Sequence, residues 1–243
     1  MCKPNRSPES ILIGDVPPAT SAGDPLVTPM PSKICIIGGG VAGLTAARVL
    51  KSRNFVDITL YEAADTLGGV WATGYPKFAI QTPGDLYEFP DKALSYPKNF
   101  KDGLAIKSYS EEYAKEHSLT KHIRLGTKVV SIESTGAEGN KWAVTTTSSG
   151  SSTSRSENTT VVYDFVVLAT GVYSPMHKHI PAIPGMEHFK GKVYHSEETA
   201  GIVDRQGKKS VVVGFGKSAQ DCAMNALAET GVEPTLVFRT GHW

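Results

Sequence analysis

The 243-residue sequence predicts an α/β fold in which two strand–helix–strand units are separated by a small antiparallel β meander. Three observations predict it. A continuous apolar run at residues 34–37 ends in glycines and gives way to a helical pattern, as expected of a central parallel strand buried on both faces. The same plan returns after 176 residues, where 209–239 (KSVVVGFGKSAQDCAMNALAETGVEPTLVFR) repeats the layout of 33–62 (KICIIGGGVAGLTAARVLKSRNFVDITLYE). Between the copies lie short stretches rich in β-branched residues at 127–133, 141–147 and 160–163.

Taken in order, residues 1–32 carry seven prolines and no aromatic residue, a composition expected of a disordered tail. Order is expected from Lys33, with a strand at 34–37, a helix at 41–50 and a second strand at 57–61. A long Gly/Pro-rich stretch follows, with aromatics at Trp71, Tyr75, Phe78, Tyr87, Phe89 and Tyr96; loops of this length usually serve as lids or binding walls. Ser108 and Glu111 have capping-box spacing and predict a helix over 109–118. The three meander strands come next, with the Ser-rich segment 148–159 as a hairpin tip, and then a buried-type strand at 165–169 ending in Thr170 and Gly171. The expected domains are therefore 33–175 and an incomplete second unit at 176–243, a doubly wound sheet needing more strands than that segment holds.

Composition excludes several classes. Twenty-five Lys plus Arg against 24 Asp plus Glu give a net charge of +1, so no bulk field draws the chain to nucleic acid or anionic membrane. The longest mostly apolar run, 34–50, holds four glycines and is broken by Thr45 and Arg48, which is too short and polar for a bilayer span. Without a secretory pattern at its start, the sequence reads as soluble and cytoplasmic. Cys2, Cys35 and Cys222 are too far apart for a disulfide scaffold or a Cys-x-x-Cys metal or redox pair, and no metal site is expected.

The glycines carry the chemistry. Gly38, Gly40 and Gly43 have Gly-x-Gly-x-x-Gly spacing between strand and helix: the first allows a tight turn, the second close approach of a pyrophosphate, the third close helix packing. With Gly39, Val41 and Ala42 they place the helix amino terminus at the phosphates. Glu62, 24 residues after Gly38, is placed to accept hydrogen bonds from a ribose. In the second copy Gly214, Gly216 and Ala219 take the three places, and Arg239 stands 25 residues after Gly214. A carboxylate there would repel a 2′-phosphate, whereas a guanidinium pairs with one, so the second Rossmann-like unit is assigned NADPH, with Lys217 adding positive charge. Two dinucleotides in one chain imply hydride delivery from NADPH to a bound flavin. Thr170 and Gly171 on one side, and Gly68 and Gly69 before Trp71 on the other, would let the backbone approach that flavin.

On GGGVAG at 38–43, Glu62, LGGVW at 67–71, LATG at 168–171, FKGKVYH at 189–195 and GFGKSAQD at 214–221, the sequence resembles the flavin-containing monooxygenases and their class B relatives. The most specific match is Phe189-x-Gly191-x-x-x-His195. Family members continue with Tyr or Phe, and Baeyer–Villiger members with Trp-Pro, where Thr199 and Ala200 stand here, leaving the subgroup open. The resemblance implies FAD along Gly69, Val70, Trp71, Gln81 and Thr82, with Val129 at its adenine end, and NADP beside Ser218, Ala219, Gln220 and Asp221. Gln81, where many members have Asn, and His195 are the candidate catalytic residues; a structural hinge is the alternative role for His195. The implied activity is NADPH-dependent transfer of one oxygen atom from O2, by way of a C4a-(hydro)peroxyflavin, to a nitrogen or sulfur of a small molecule. A Baeyer–Villiger reaction and a truncated, non-catalytic coenzyme-binding fragment are the alternatives. A disulfide reductase is disfavoured, because no cysteine lies between Cys35 and Cys222.

Overall fold

A computed structural model describes residues 30–94, 101–136, 140–148, 158–173, 181–201 and 206–241. Strand β1 (Met30–Ile37) lies between β2 (Phe55–Tyr61) and the later β7 (Phe165–Leu168), and β3 (Ile123–Arg124) extends the sheet beyond β2, all parallel. The apolar run in β1 does not alternate because both its faces are covered. Ile34 and Ile36 turn to one side, where α1 (Val41–Ser52) and α3 (Gly103–Glu116) supply Leu44, Ala47, Ile106 and Tyr113. Cys35 and Ile37 turn to the other, against Val144 and Tyr163 of the meander. Each fully buried aliphatic side chain of this kind contributes about 1.5–3 kcal/mol.

The meander is β4 (Thr127–Thr135), β5 (Lys141–Ser148) and β6 (Asn158–Tyr163), antiparallel throughout. One of its links to the parallel sheet is a buried hydrogen bond of 2.8 Å between the Tyr61 and Tyr163 hydroxyls, which satisfies two polar atoms inside an apolar layer. Helices, parallel sheet and meander thus form three layers. The second unit is β8 (Val211–Val213), α4 (Lys217–Thr230) and β9 (Thr235–Val237), with the two strands parallel.

Several expected boundaries shift. The first strand begins at Met30, not after residue 32, with a register irregularity between Met30 and Lys33; residues 1–29 of the expected tail lie outside the described residues. Most of the Ser-rich segment, 149–157, also lies outside them. The helix expected from 109 starts at Gly103, because Asp102 is the better cap: its carboxylate accepts from Ala105 N at 2.8 Å. Ser108 is therefore interior, and Glu111 is engaged by Thr66 at 2.9 Å and Lys107 at 3.0 Å. The extra turn is held by Ile106, which is fully buried. Within the long loop a short helix α2 (Val70–Thr73) forms.

Among the described residues, no helix is long and apolar enough to cross a membrane, and no cluster of His, Cys, Asp and Glu could hold a metal ion.

Candidate coenzyme sites

The first glycine loop is fixed by contact from three sides. Gly38 donates to Tyr61 O at 2.8 Å with φ +113°, and a Cβ there would stand 2.3 Å from Ala169 O at the end of β7. A Cβ on Gly43 would lie 1.9 Å from Gly38 O. Both glycines are therefore required by packing. Gly40 differs, since a Cβ there would meet only Gly69, at 3.6 Å, across a narrow gap. Gly68 donates to Gly39 O at 3.1 Å, which brings the LGGVW segment over the loop. No side chain caps α1, and its first turn has no acidic residue, so the amino-terminal N–H groups present positive charge at this gap.

Glu62 lies beside them. Its Oε2 accepts from Gly39 N at 2.6 Å and its Oε1 from Ala64 N at 2.8 Å. Each carboxylate oxygen keeps a further lone pair, which is what a ribose hydroxyl donor requires. Thr127 N donates to Glu62 O at 2.9 Å, bringing the start of β4 alongside; Val129, two residues on, packs against the core cluster that the meander shares with the parallel sheet. At the other end of the gap Trp71 stacks on Phe78, ring centroids 5.3 Å apart, and its indole N–H donates to Tyr87 Oη at 2.6 Å. Val70 opens α2, and Gln81 and Thr82 lie on an exposed turn after buried Ile80. Thr170 and Gly171 are exposed after β7, Gly171 with φ +74° and open space where a side chain would be. This uncapped helix end, narrow glycine gap and neighbouring carboxylate fit an adenine dinucleotide.

The second loop has the same backbone anchoring. Gly214 donates to Val237 O at 2.8 Å, as Gly38 does to Tyr61 O 176 positions earlier, and Gln220 N to Gly216 O at 3.1 Å, as Leu44 N does to Gly40 O at 3.0 Å. Its fittings differ. Ala219 sits without a clash where Gly43 allows no side chain. At the places of Gly39 and Glu62 stand Phe215 and Phe238, whose rings stack with centroids 4.2 Å apart. Arg239 is exposed beyond them and Ser218 is exposed on the first turn of α4, which no side chain caps. The Lys217 ammonium donates to both Asp221 oxygens, so its charge is locally balanced. Hydrogen bonds join the long loop to α4: Tyr75 Oη donates to Asp221 Oδ2 at 2.8 Å and is also bonded to the Ser218 side chain, and Asn225 Nδ2 donates to Pro76 O at 2.7 Å.

His195 stands at the start of a short turn. Its N–H donates to Glu198 Oε2 at 2.9 Å and its Nδ1 accepts from Glu197 N at 3.4 Å, which starts the 3-10 turn Ser196–Gly201. The Phe-x-Gly spacing also has a local cause, because the Phe189 ring folds over Gly191, 2.6 Å from where a Cβ would be. Sequence reasoning missed Tyr75, Phe215, Phe238 and Asn225. The signal for Asn225 was present: Lys217, Asp221 and Asn225 recur every fourth residue, a polar stripe on one helix face.

An α/β chain with two such glycine loops and an intervening meander defines the class of two-dinucleotide flavoproteins. The chain belongs to the flavin-binding monooxygenase-like (FMO-like) family, whose model matches residues 31–243. It is 36% identical to the probable flavin-containing monooxygenase 1 of Arabidopsis thaliana, over 87% of this chain and 45% of that protein. With human flavin-containing monooxygenase 5 the identity is 30%, over 87% of this chain and 40% of that one. Among solved structures it resembles OTEMO in complex with FAD and NADP, at a TM-score of 0.67 and 26% identity, covering 89% of this chain and 40% of OTEMO. The chain thus spans less than half the length of these relatives.

Proposed function

We propose that residues 33–175 bind FAD and residues 176–243 form part of an NADPH-binding unit of a flavoprotein monooxygenase that oxygenates a nitrogen or sulfur of a small molecule. The observation that carries this reading is the pair of glycine loops, anchored by the same hydrogen bonds 176 residues apart, with Glu62 after the second strand of the first unit and Arg239 exposed one residue beyond the matching place, Phe238, in the second. In the first site, α1 N–H groups and Gly40 receive the pyrophosphate, Glu62 orients the ribose, and Gly69, Val70 and Trp71 wall the isoalloxazine side, with Gln81 and Thr82 beyond. Val129, Thr170 and Gly171 complete that site's edges. In the second, the start of α4 from Lys217 to Asp221 receives the pyrophosphate, and Arg239 pairs with the 2′-phosphate.

When bound, FAD supplies hydride acceptance from NADPH and activation of O2, one oxygen atom passing to the substrate and the other leaving as water. The protein's own work is to orient the two coenzymes and exclude solvent. The relative solved with FAD and NADP supports the coenzyme pair. The buried Cys35 thiol accords with a cytoplasmic setting.

The test is anaerobic mixing of the flavin-loaded chain with NADPH or NADH. Faster bleaching by NADPH is expected, with the preference reduced about tenfold or more in Arg239→Glu through loss of a charge-assisted pair. A chain that holds no flavin, or that uses both nicotinamides equally, contradicts the reading.

A further inference from the structure

The contacts between the long loop and α4 connect the two sites. Asp221 and Asn225 lie one helical turn apart on α4, and their partners, Tyr75 and Pro76, are consecutive in the loop. Asn225 is only 8% exposed, and a buried amide is costly unless bonded. A hydrophobic residue would pack this position without that demand; an asparagine bonded to one carbonyl admits one register between helix and loop. The connection continues on both sides. Toward the first site the Tyr75 ring packs on Phe78, 5.6 Å between centroids, and Phe78 stacks on Trp71, two residues from the Gly69 that faces Gly40. Toward the second site Asp221 holds Lys217, the first residue of α4 after Gly216. Burial, with the Asp221 carboxylate beside it, pushes the Tyr75 phenol up to about 12, so it stays a donor across the physiological range.

Resting on the two-coenzyme reading above, we infer that Tyr75 and Asn225 are positioning residues for hydride transfer, clasping the start of α4 to the flavin-side loop through Asp221 and Pro76. The step they serve balances simply: a hydride leaves NADPH and is taken up by the oxidised flavin, giving NADP+ and reduced flavin. Neither residue touches a coenzyme; each acts by fixing the separation and angle of the two sites, to which transfer is steeply sensitive.

The experiment is rapid-mixing flavin reduction by NADPH in the full chain carrying Tyr75→Phe, Asn225→Ala, or both. The limiting reduction rate at saturating NADPH is expected to fall about tenfold in each single variant and by little more in the double, because both open one joint. Bound FAD and the NADPH concentration for half-saturation should stay within about twofold, since this coupling affects alignment and not occupancy. An unchanged limiting rate, or a fall that tracks loss of FAD, overturns the inference while leaving coenzyme binding intact as a reading. Failure of the unaltered chain to bind either coenzyme overturns that reading and the inference with it. Should Asn225→Ala fail to fold, Tyr75→Phe decides alone, since it removes a single oxygen from the same joint.

Discussion

The two glycine loops share a backbone and differ in how tightly their surroundings close on it. In the first, Gly38 and Gly43 have no room for a side chain, the Gly68–Gly69 segment lies across the loop, and Glu62 bonds back to Gly39. In the second, Ala219 fits, Gly216 faces open space, and an aromatic stack of Phe215 on Phe238 replaces the carboxylate latch. A walled loop with a hydrogen-bonded carboxylate suits the resident flavin proposed above; in the second unit the matching positions carry aromatic rings, with the Arg239 side chain exposed beside them.

The largest expected effect comes from exchanging the third loop residue. Gly43→Ala forces a Cβ to within 1.9 Å of a backbone oxygen and should destabilise the chain by about 3 kcal/mol. Ala219→Gly at the matching place should cost about 1 kcal/mol, the ordinary helix penalty of glycine. Thermal melting of the two variants checks both, and equal losses would erase the contrast between the loops. The next effect is at the strand end. Glu62→Gln keeps the size but turns an amide toward one of two N–H donors, leaving one without an acceptor, at about 1–3 kcal/mol and with weaker FAD uptake. Phe238→Leu at the equivalent place should leave FAD uptake unchanged. Flavin retained through gel filtration reads both.

The smallest effect separates the units by acid. Among the described residues, the carboxylates held below their ordinary range, Asp91, Glu111, Glu116 and Asp164, all lie in the first unit. Burial alone would raise Asp91, but the Tyr113 hydroxyl with His117 and Arg48 more than offsets it. Lys107 and Thr66 do the same for Glu111, and Lys141 with the Lys33 N–H holds Asp164 down. Because these folded-state values are depressed, their stabilisation is complete above the unfolded carboxylate pKa of about 4 and is lost as pH falls through the folded values. Melting temperature should therefore fall as pH drops below about 4, and less so in Asp91→Asn; an identical slope in the variant would remove Asp91 from the account.

Much of this was legible in the sequence, for local reasons. The glycine spacing, the uninterrupted apolar strand and the repeat at 176 residues each follow from backbone sterics or burial within one unit, and α1 and the expected strands form within two residues of where the pattern places them, except that β1 starts four residues early and the short β3 was not expected. The start of α3 was misplaced because two caps competed, and Asp102 prevailed by adding a turn that buries Ile106. The contacts of Tyr75 and Asn225 were not legible, since each depends on a partner about 150 positions away whose approach only tertiary packing decides. His195 stood out as a motif; the bonds of its N–H to Glu198 and of its Nδ1 to Glu197 N depend on the turn that follows it and do not show in the motif's spacing.

Equilibrium binding of FAD and NADP+ to the unaltered chain, to Glu62→Gln and to Arg239→Glu tests the central division of labour most directly. One molecule of each coenzyme is expected per chain, with weakened FAD and unaltered NADP+ binding in Glu62→Gln and the reverse in Arg239→Glu. Both variants binding both coenzymes as the unaltered chain does would contradict it.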